Sequence, residues 1–426
     1  MTPHDQQGAA AVPTTGRAAR WLARELALLS GARPRTHRLL LRVWRNPVAV
    51  LVPVAAVALG IVGAASPDGD AEWFRRAGLG MLGPGLWDVF ADAGLQIGVL
   101  VLLPVALLVV VADALGISAP FLVSAAQGAF VTWVALVAGR RATDVTGAPV
   151  LPAQWAVGGS LALGGVLAEA TAIGHPEEVL IGLLLVLAAC SAAEGHGRRV
   201  GGLLGVAVGL KLWGALGAPV ALIGRSPRVV AVAGVVAGVV AAACYAPFLL
   251  WGEVNTFDFA WTSNRFGLRE LVGPGPSDWV VRVGQGAASV LVGCCVALRR
   301  AGSPTTVVVC IIATRLLLDS VVTPHYLGPL VVTGMLWAWA SRDRATRRAA
   351  LAVTLLVPAL VVLPYVVGKQ ATYLGYVVLM VLVPAAALLG DRRAAGAAGR
   401  GAQQPDDPPA SPSEHRQSIV RVTTSL

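Results

Sequence analysis

The feature that most constrains this chain is a succession of long apolar runs, near 47–66, 96–114, 119–138, 155–173, 178–193, 200–223, 229–251, 279–298, 304–318, 325–340, 349–367 and 372–390. A membrane-crossing helix needs about 20 apolar residues. Runs of this length are too long and too unbroken for the alternating segments of a β-barrel. Composition agrees: 56% of the 426 residues are hydrophobic and only 13% are charged, against roughly 25% charged in soluble domains. A soluble enzyme, a disordered scaffold and a coiled coil are excluded. The expected fold is an all-α polytopic helical integral membrane protein, with about 10–12 helices in the lipid bilayer.

In a soluble protein the net charge of +10 would suggest nucleic acid. Here the basic residues sit at the ends of apolar runs, the pattern that orients membrane proteins, and no nucleic-acid partner is expected. Residues 1–46 are rich in Arg (Arg17, Arg20, Arg24, Arg33, Arg35, Arg38, Arg42, Arg45). They read as a cytoplasmic N-terminal segment, part of it an amphipathic interfacial helix. No cleavable signal peptide is visible, and the first apolar run reads as an anchor. Residues 47–390 form the membrane domain, and 391–426, rich in Pro, Ala, Ser and charge, read as a disordered cytoplasmic tail. Cys190, Cys244, Cys294, Cys295 and Cys310 have neither metal-site nor disulfide-framework spacing and read as small packing residues.

Counting every apolar run as a crossing leaves Arg140–Arg141 and Arg198–Arg199 outside, against the positive-inside rule. Two changes repair this. The 96–114 run dips in and returns to the outer side at Gly116–Pro120, and 200–223 becomes a hairpin broken around Lys211 and Gly214. Then only Arg75, Arg76, Arg265, Arg269 and Arg282 lie outside, and Arg315 stays within a span. Both termini are cytoplasmic. Broken backbone at membrane depth is tolerated where it lines a polar cavity, so the hairpin predicts one.

Four polar segments then meet on the outer face: 66–92 with Asp68 and Asp70, the loop Gly174-His175-Pro176-Glu177-Glu178, the loop 252–278 with Arg265 and Arg269, and 319–326 with Asp319 and His325. Each has a plain structural reading. Asp68 and Asp70 fit a helix cap and turn. Pro176, Glu177 and Glu178 fit the first turn of a helix. Lys211 fits a snorkelling side chain, and Asp319 a partner for Arg315 one turn earlier. Arg265 and Arg269 fit a solvated loop face. Small residues at four-residue spacing through Gly197–Gly209 signal close helix packing, not a phosphate loop. Against these readings, an ionisable group inside the membrane, such as Lys211, is functional by default, and the polar segments converge on one face.

Over roughly 47–390 the chain resembles the polytopic GT-C glycosyltransferases that use polyprenyl-phosphate sugars, particularly the bacterial alpha-mannosyltransferase-like family with DUF2029-type sequences. The resemblance rests on ordered, individually loose motifs. They are Asp70-Ala-Glu-Trp73-Phe74-Arg-Arg-Ala77-Gly78, then Leu95-Gln96-Ile97-Gly98, the loop Gly174–Glu178, Gly205-Val-Ala-Val-Gly209-Leu-Lys211-Leu-Trp213 with Pro219, and Thr323-Pro324-His325-Tyr326. Val99 departs from the Pro expected after Gln-x-Gly. The resemblance implies a GT-C-like membrane fold and an inverting transfer of a sugar, mannose first, from a polyprenyl-phosphate donor. The acceptor would be a cell-envelope glycolipid or glycan at the outer face of the cytoplasmic membrane.

On that reading Asp70 is the general base, with Asp68 as fallback. Lys211, His325, Arg265 and Arg269 meet the donor phosphate. His175, Glu177, Glu178 and Gln96 bind sugar or orient the base. No cofactor is indicated, although the spacing Asp68-Gly-Asp70 leaves a divalent ion open. The alternatives are a transporter or permease, which shares broken helices and buried charge, and a non-catalytic membrane assembly factor.

Overall fold

A computed structural model describes residues 17–66, 69–256, 258, 278–299, 303–319 and 323–401. Among them the ordered elements are helices, with no strand. Two Arg-rich helices come first, α1 (Arg17–Ala32) and α2 (Pro34–Arg45), where an interfacial segment was expected. There follow α3 (Pro47–Ala65), α4 (Asp70–Gly80), α5 (Val99–Leu115), α6 (Ala119–Thr146), α7 (Val150–Ala162), α8 (Val166–Ile173), α9 (Pro176–Ala193) and α10 (Gly197–Leu210). After a 3-10 helix, Leu212–Leu222, come α11 (Pro227–Trp251), α12 (Asp278–Leu298), α13 (Pro304–Leu317), α14 (Gly328–Trp339), α15 (Arg344–Val367) and α16 (Lys369–Gly401). Six of the described helical segments are long and apolar enough to cross a membrane. The chain is an all-α polytopic membrane protein.

Side-chain contacts place Arg141, Arg199, Arg225 and Arg342 at one end of this bundle. Arg141, at the end of α6, pairs with Glu194 just past α9 at 3.6 Å, and Arg199 in α10 reaches the same carboxylate at 4.0 Å. Arg225 donates to the Leu298 carbonyl at 2.6 Å, joining the start of α11 to the end of α12. Arg342 donates to the Thr146 carbonyl. The first turn of α9, 18 residues from its far end and so about 27 Å away, lies at the opposite end.

The region 197–223 is a hairpin. The 14 residues of α10 rise about 21 Å from the arginine end. The chain reverses at Lys211, whose backbone is extended (φ −165°, ψ 139°). The 11 residues of the 3-10 helix then descend about 22 Å, because a 3-10 helix rises more per residue. A Cβ on Gly224, just past it, would lie 2.5 Å from the Ala192 carbonyl oxygen, back at the arginine end. The hairpin packs through the glycine stripe. A Cβ on Gly201 would meet the Ala233 carbonyl at 2.5 Å, one on Gly205 the Val240 Cβ at 2.5 Å, and one on Gly209 the Cys244 Sγ at 2.8 Å. Close helix packing is therefore what the spacing encodes.

The 96–114 run also returns to its own side, but its geometry differs from the expected dip. The Gly98 amide donates to the Leu210 carbonyl at 2.7 Å, beside the hairpin apex, and α5 ends at Gly116, just before α6. There α6 abuts the end of α3, where a Cβ on Gly63 would lie 2.9 Å from the Pro120 carbonyl. So α5 is one continuous helix linking two parts of the same end of the bundle. Two other expectations are corrected. The 155–173 run is split into α7 and α8 at Gly165, which has φ +83°. The helical C-terminal segment does not stop at 390 but continues to Gly401, with the Asp391 carboxylate accepting from Thr306 at 2.7 Å; residues 402–426 lie outside the described residues.

Candidate functional site

At the end opposite the arginines, three features of the chain bring the charges together. The first is the α8–α9 corner. Gly174 has φ +104°, and a Cβ there would lie 2.6 Å from the Ala71 backbone, so only glycine lets this corner press against the start of α4. That approach carries the His175 ring to Asp70. Pro176 then starts α9 and places Glu177 and Glu178 in its first turn, as the plain reading expects. Both carboxylates are nonetheless buried (Glu178 is 0% exposed).

The second feature is the hairpin apex, which aims Lys211 at that turn. Its ammonium lies 2.7 Å from Glu178 and 3.4 Å from Glu177. The third is the end of α13, from which Arg315 donates to Glu178 at 3.2 Å and pairs with Asp319 at 3.7 Å. Arg282 of α12 closes the series, donating to Asp319 at 3.1 Å. The result is a continuous chain of alternating charge, Asp70–His175–Glu177–Lys211–Glu178–Arg315–Asp319–Arg282, in which each cation is matched by a carboxylate. Low-dielectric surroundings demand such pairing, since an isolated buried ion is expensive.

Aromatic rings pack around this chain. His175 and His325 stack with centroids 4.8 Å apart and planes 6° from parallel. Phe74 meets the His175 ring edge-on at 5.1 Å. The Arg315 guanidinium lies 4.3 Å from the Trp213 ring and 5.3 Å from Tyr326, within cation–π range.

His175 has a carboxylate on each ring nitrogen: Nε2 to Asp70 at 3.0 Å and Nδ1 to Glu177 at 2.8 Å. Only the imidazolium donates to both at once. Burial works against that charge, but the Glu177 charge and the two hydrogen bonds outweigh it and raise the His175 pKa. The hydrogen bond from His175 holds the Asp70 carboxyl below its usual range, overcoming the opposing effect of burial. Burial first, and then the neighbouring His175 charge, push His325 down to about 3, so its ring is neutral. Buried atoms here without a hydrogen-bond partner among the described residues include Glu177 Oε2, His325 Nδ1, Gln96 Nε2 and Trp213 Nε1. Buried polar atoms are normally satisfied, so each of these calls for a partner that the described residues do not supply. The Asp70 side chain is 39% exposed, the open end of the chain of charges.

Asp70, His175, Glu177, Glu178, Lys211 and His325 thus come together, as their convergence on one face suggested. Gln96 lies two residues before Gly98, which is bonded to Leu210 beside Lys211. Asp68, Arg265 and Arg269 lie outside the described residues. One plain reading is corrected and another is borne out and extended. Lys211 does not snorkel; it is 8% exposed and tied to Glu178. Arg315 does pair with Asp319, but its shorter bond is to Glu178, which brings it into the site. Sequence reasoning also passed over Trp213 and Arg282 as site residues. Arg315 carried a usable signal, a charge inside an apolar run; Arg282 and Trp213 carried none. Among the described residues, no group of three or more His, Cys, Asp or Glu side chains is arranged to hold a metal ion. Comparison with protein-family models, curated proteins and solved structures finds no match to this chain.

Proposed function

We propose that this chain is a membrane glycosyltransferase that moves a sugar, mannose in the first instance, from a polyprenyl-phosphate donor to a cell-envelope glycolipid or glycan. The active site would lie at the outer face of the cytoplasmic membrane, with both termini in the cytoplasm. The observation that carries this reading is the half-exposed Asp70 carboxylate, hydrogen-bonded to a buried His175–Glu177 pair at the end of an apolar bundle. It offers the fixed proton acceptor that an attacking hydroxyl needs.

In the reaction the acceptor hydroxyl attacks the anomeric carbon from the side opposite the phosphate. A bond forms from the acceptor oxygen to that carbon, and the carbon–oxygen bond to the phosphate breaks with its electron pair leaving on the phosphate. The hydroxyl proton passes to Asp70. A carboxylate held below its usual pKa is a weak base, so the proton moves late, after bond formation has acidified the hydroxyl. His175 fixes the carboxylate in position. Glu177 Oε2 and Gln96 Nε2 are free to meet sugar hydroxyls. His325, being neutral, would meet the phosphate as a hydrogen-bonding group rather than as a cation. Lys211 is already engaged with Glu178, so its part is to hold the two glutamates and share a proton with the phosphate when that arrives. Arg265 and Arg269 remain the candidate outer cations.

Membrane vesicles carrying the chain should transfer labelled mannose from polyprenyl-phosphate mannose. Asp70→Asn should lower transfer by at least about 100-fold, the usual scale of a general base, at unchanged expression. Full activity of that variant would sink the base assignment. A second reading, a transporter, draws on the buried Glu178–Lys211–Arg315 ions beside a broken hairpin. Solute uptake that survives Asp70→Asn, in vesicles that transfer no sugar, would favour it.

A further inference from the structure

The helix α2 carries charge that the rest of the chain does not answer. It contains no acid, and none occurs in the sequence between Glu25 and Asp68. Residues three or four apart share a helix face. Arg35, Arg38, Arg42 and Arg45 therefore form one stripe, and Leu39, Leu40, Val43 and Trp44 another. No residue of α2 is buried; Leu39 is 59%, Leu40 46% and Trp44 45% exposed. Arg38 donates to the Pro34 carbonyl one turn back, and among the described residues no carboxylate pairs with any of these arginines. The helix is nevertheless held in place. The Trp44 ring stacks on Trp155 of α7 with centroids 5.8 Å apart and planes 3° from parallel, and the Trp155 indole N–H donates to the Trp44 carbonyl at 2.8 Å. Helix α7 starts just past Gly147, which ends α6 beside the Arg342 side chain, so α2 lies at the arginine end. Only Asn46 separates it from α3.

We infer that α2 docks on an anionic phospholipid surface, the leaflet at the arginine end, with Leu39, Leu40 and Val43 among the acyl chains and the arginines on headgroup phosphates. Two observations select that occupant. The first is position. Helix α2 runs directly into α3, which is long and apolar enough to cross a membrane, and its 12 residues span only about 18 Å. No part of α2 can stand far from the bilayer boundary. The second is the charge pattern. Leu39 follows Arg35 by four residues and precedes Arg42 by three, so guanidiniums border the apolar face. Their planar forks suit phosphate oxygens. A zwitterionic surface offers the apolar layer without net attraction, whereas an anionic one draws each basic residue near it. An amphipathic helix with arginines beside its apolar face is built for the second surface.

The full-length chain tests this in nanodiscs of phosphatidylcholine alone or mixed with phosphatidylglycerol. Its native cysteines are replaced, and Leu40→Cys carries a fluorophore. With phosphatidylglycerol the label should be shielded from aqueous acrylamide and quenched by a lipid-borne nitroxide. In phosphatidylcholine alone, or at high salt, acrylamide access should rise. Arg35→Gln with Arg42→Gln should lower the docked-to-undocked ratio about 25-fold, roughly fivefold for each arginine and equivalent to about 2 kcal/mol in all. A label at Arg38→Cys, on the polar stripe, should stay open to acrylamide in both lipids. Equal acrylamide access at position 40 in the two lipids overturns the proposal, and that comparison needs no arginine variant. Shielding that appears only in discs holding two chains would make the face an interface between copies. Shielding without nitroxide quenching would place protein, not lipid, over it. Either result overturns the proposal too. The readout is lipid contact, so its failure and a failure of sugar transfer are told apart.

Discussion

His175 is the residue on which the site turns, because it answers to two carboxylates at once. The sign of its titration follows from that. Asp70 is held below the ordinary value of 3.8, so its ionised form stabilises the fold above 3.8. That contribution is lost as pH falls through the lower folded pKa. His175 is held above 6.5, so its charge stabilises fully below 6.5 and is lost as pH rises through the higher folded pKa. The pair is intact between those limits. His175→Phe keeps a ring against Phe74 and removes both hydrogen bonds. The acid loss of stability due to Asp70 should then shrink or vanish, since Asp70 loses the bond that depresses it, and the alkaline loss should disappear. The thermal unfolding midpoint measured from pH 3 to pH 9, values chosen to bracket both reference pKa values, reads both limbs. An acid limb as deep as in the parent chain would show that His175 leaves Asp70 unperturbed. At this scale the sequence named most of the actors, since Asp, Glu, His and Lys are scarce against an apolar background. It could not name their pairings. Glu178 takes both Lys211 and Arg315, and these partners are 33 and 137 residues away, beyond the reach of any local pattern.

At the scale of elements, glycine spacing was the most readable signal and lengths were the least. The run Gly197–Gly209 announces a packing face, and every fourth position of α10 does press on α11. Gly201 and Gly202 make an internal control. A Cβ on Gly201 would lie 2.5 Å from the Ala233 carbonyl and 2.7 Å from the Val236 Cβ, whereas one on Gly202 has nothing within 4 Å. Gly201→Leu should therefore lower stability by about 1–3 kcal/mol through overpacking, with Gly202→Leu within about 0.5 kcal/mol of the parent chain, both measured by thermal unfolding in detergent. Equal effects would mean that α10 does not use this face. The hairpin itself was inferred from charge, but its construction was not visible. Nothing in the composition of 212–222 marks a 3-10 helix, and it is the larger 3-10 rise that lets fewer residues retrace α10. The split at Gly165 escaped for a similar reason. An apolar run reads as one helix unless Pro or charge interrupts it, and a single glycine with positive φ does neither.

At the scale of the whole molecule, the positive-inside rule decided more than hydropathy did. Hydropathy counts apolar runs and assigns each a crossing. The arginines require that two of those runs return to the side they came from, and α5 and the α10 hairpin do so by different means. The two topologies differ in a measurable way. In a chain whose native cysteines are replaced, single cysteines at Arg198 and Arg228 flank the hairpin, and single cysteines at Arg76 and Leu115 flank α5; all four positions are exposed. If both elements return, Arg198→Cys and Arg228→Cys react with a membrane-impermeant maleimide from one face. Arg76→Cys and Leu115→Cys then react from the other. If each run crosses, each pair is divided between the faces. Labelling of intact cells and of inverted vesicles separates the cases. It also fixes which face carries Asp70, because Arg76 is on the same short helix. A sugar acceptor outside the cell requires that face to be the outer one. Labelling of Arg76→Cys from the cytoplasmic side would leave the bundle as described and remove the location on which the transfer reaction depends.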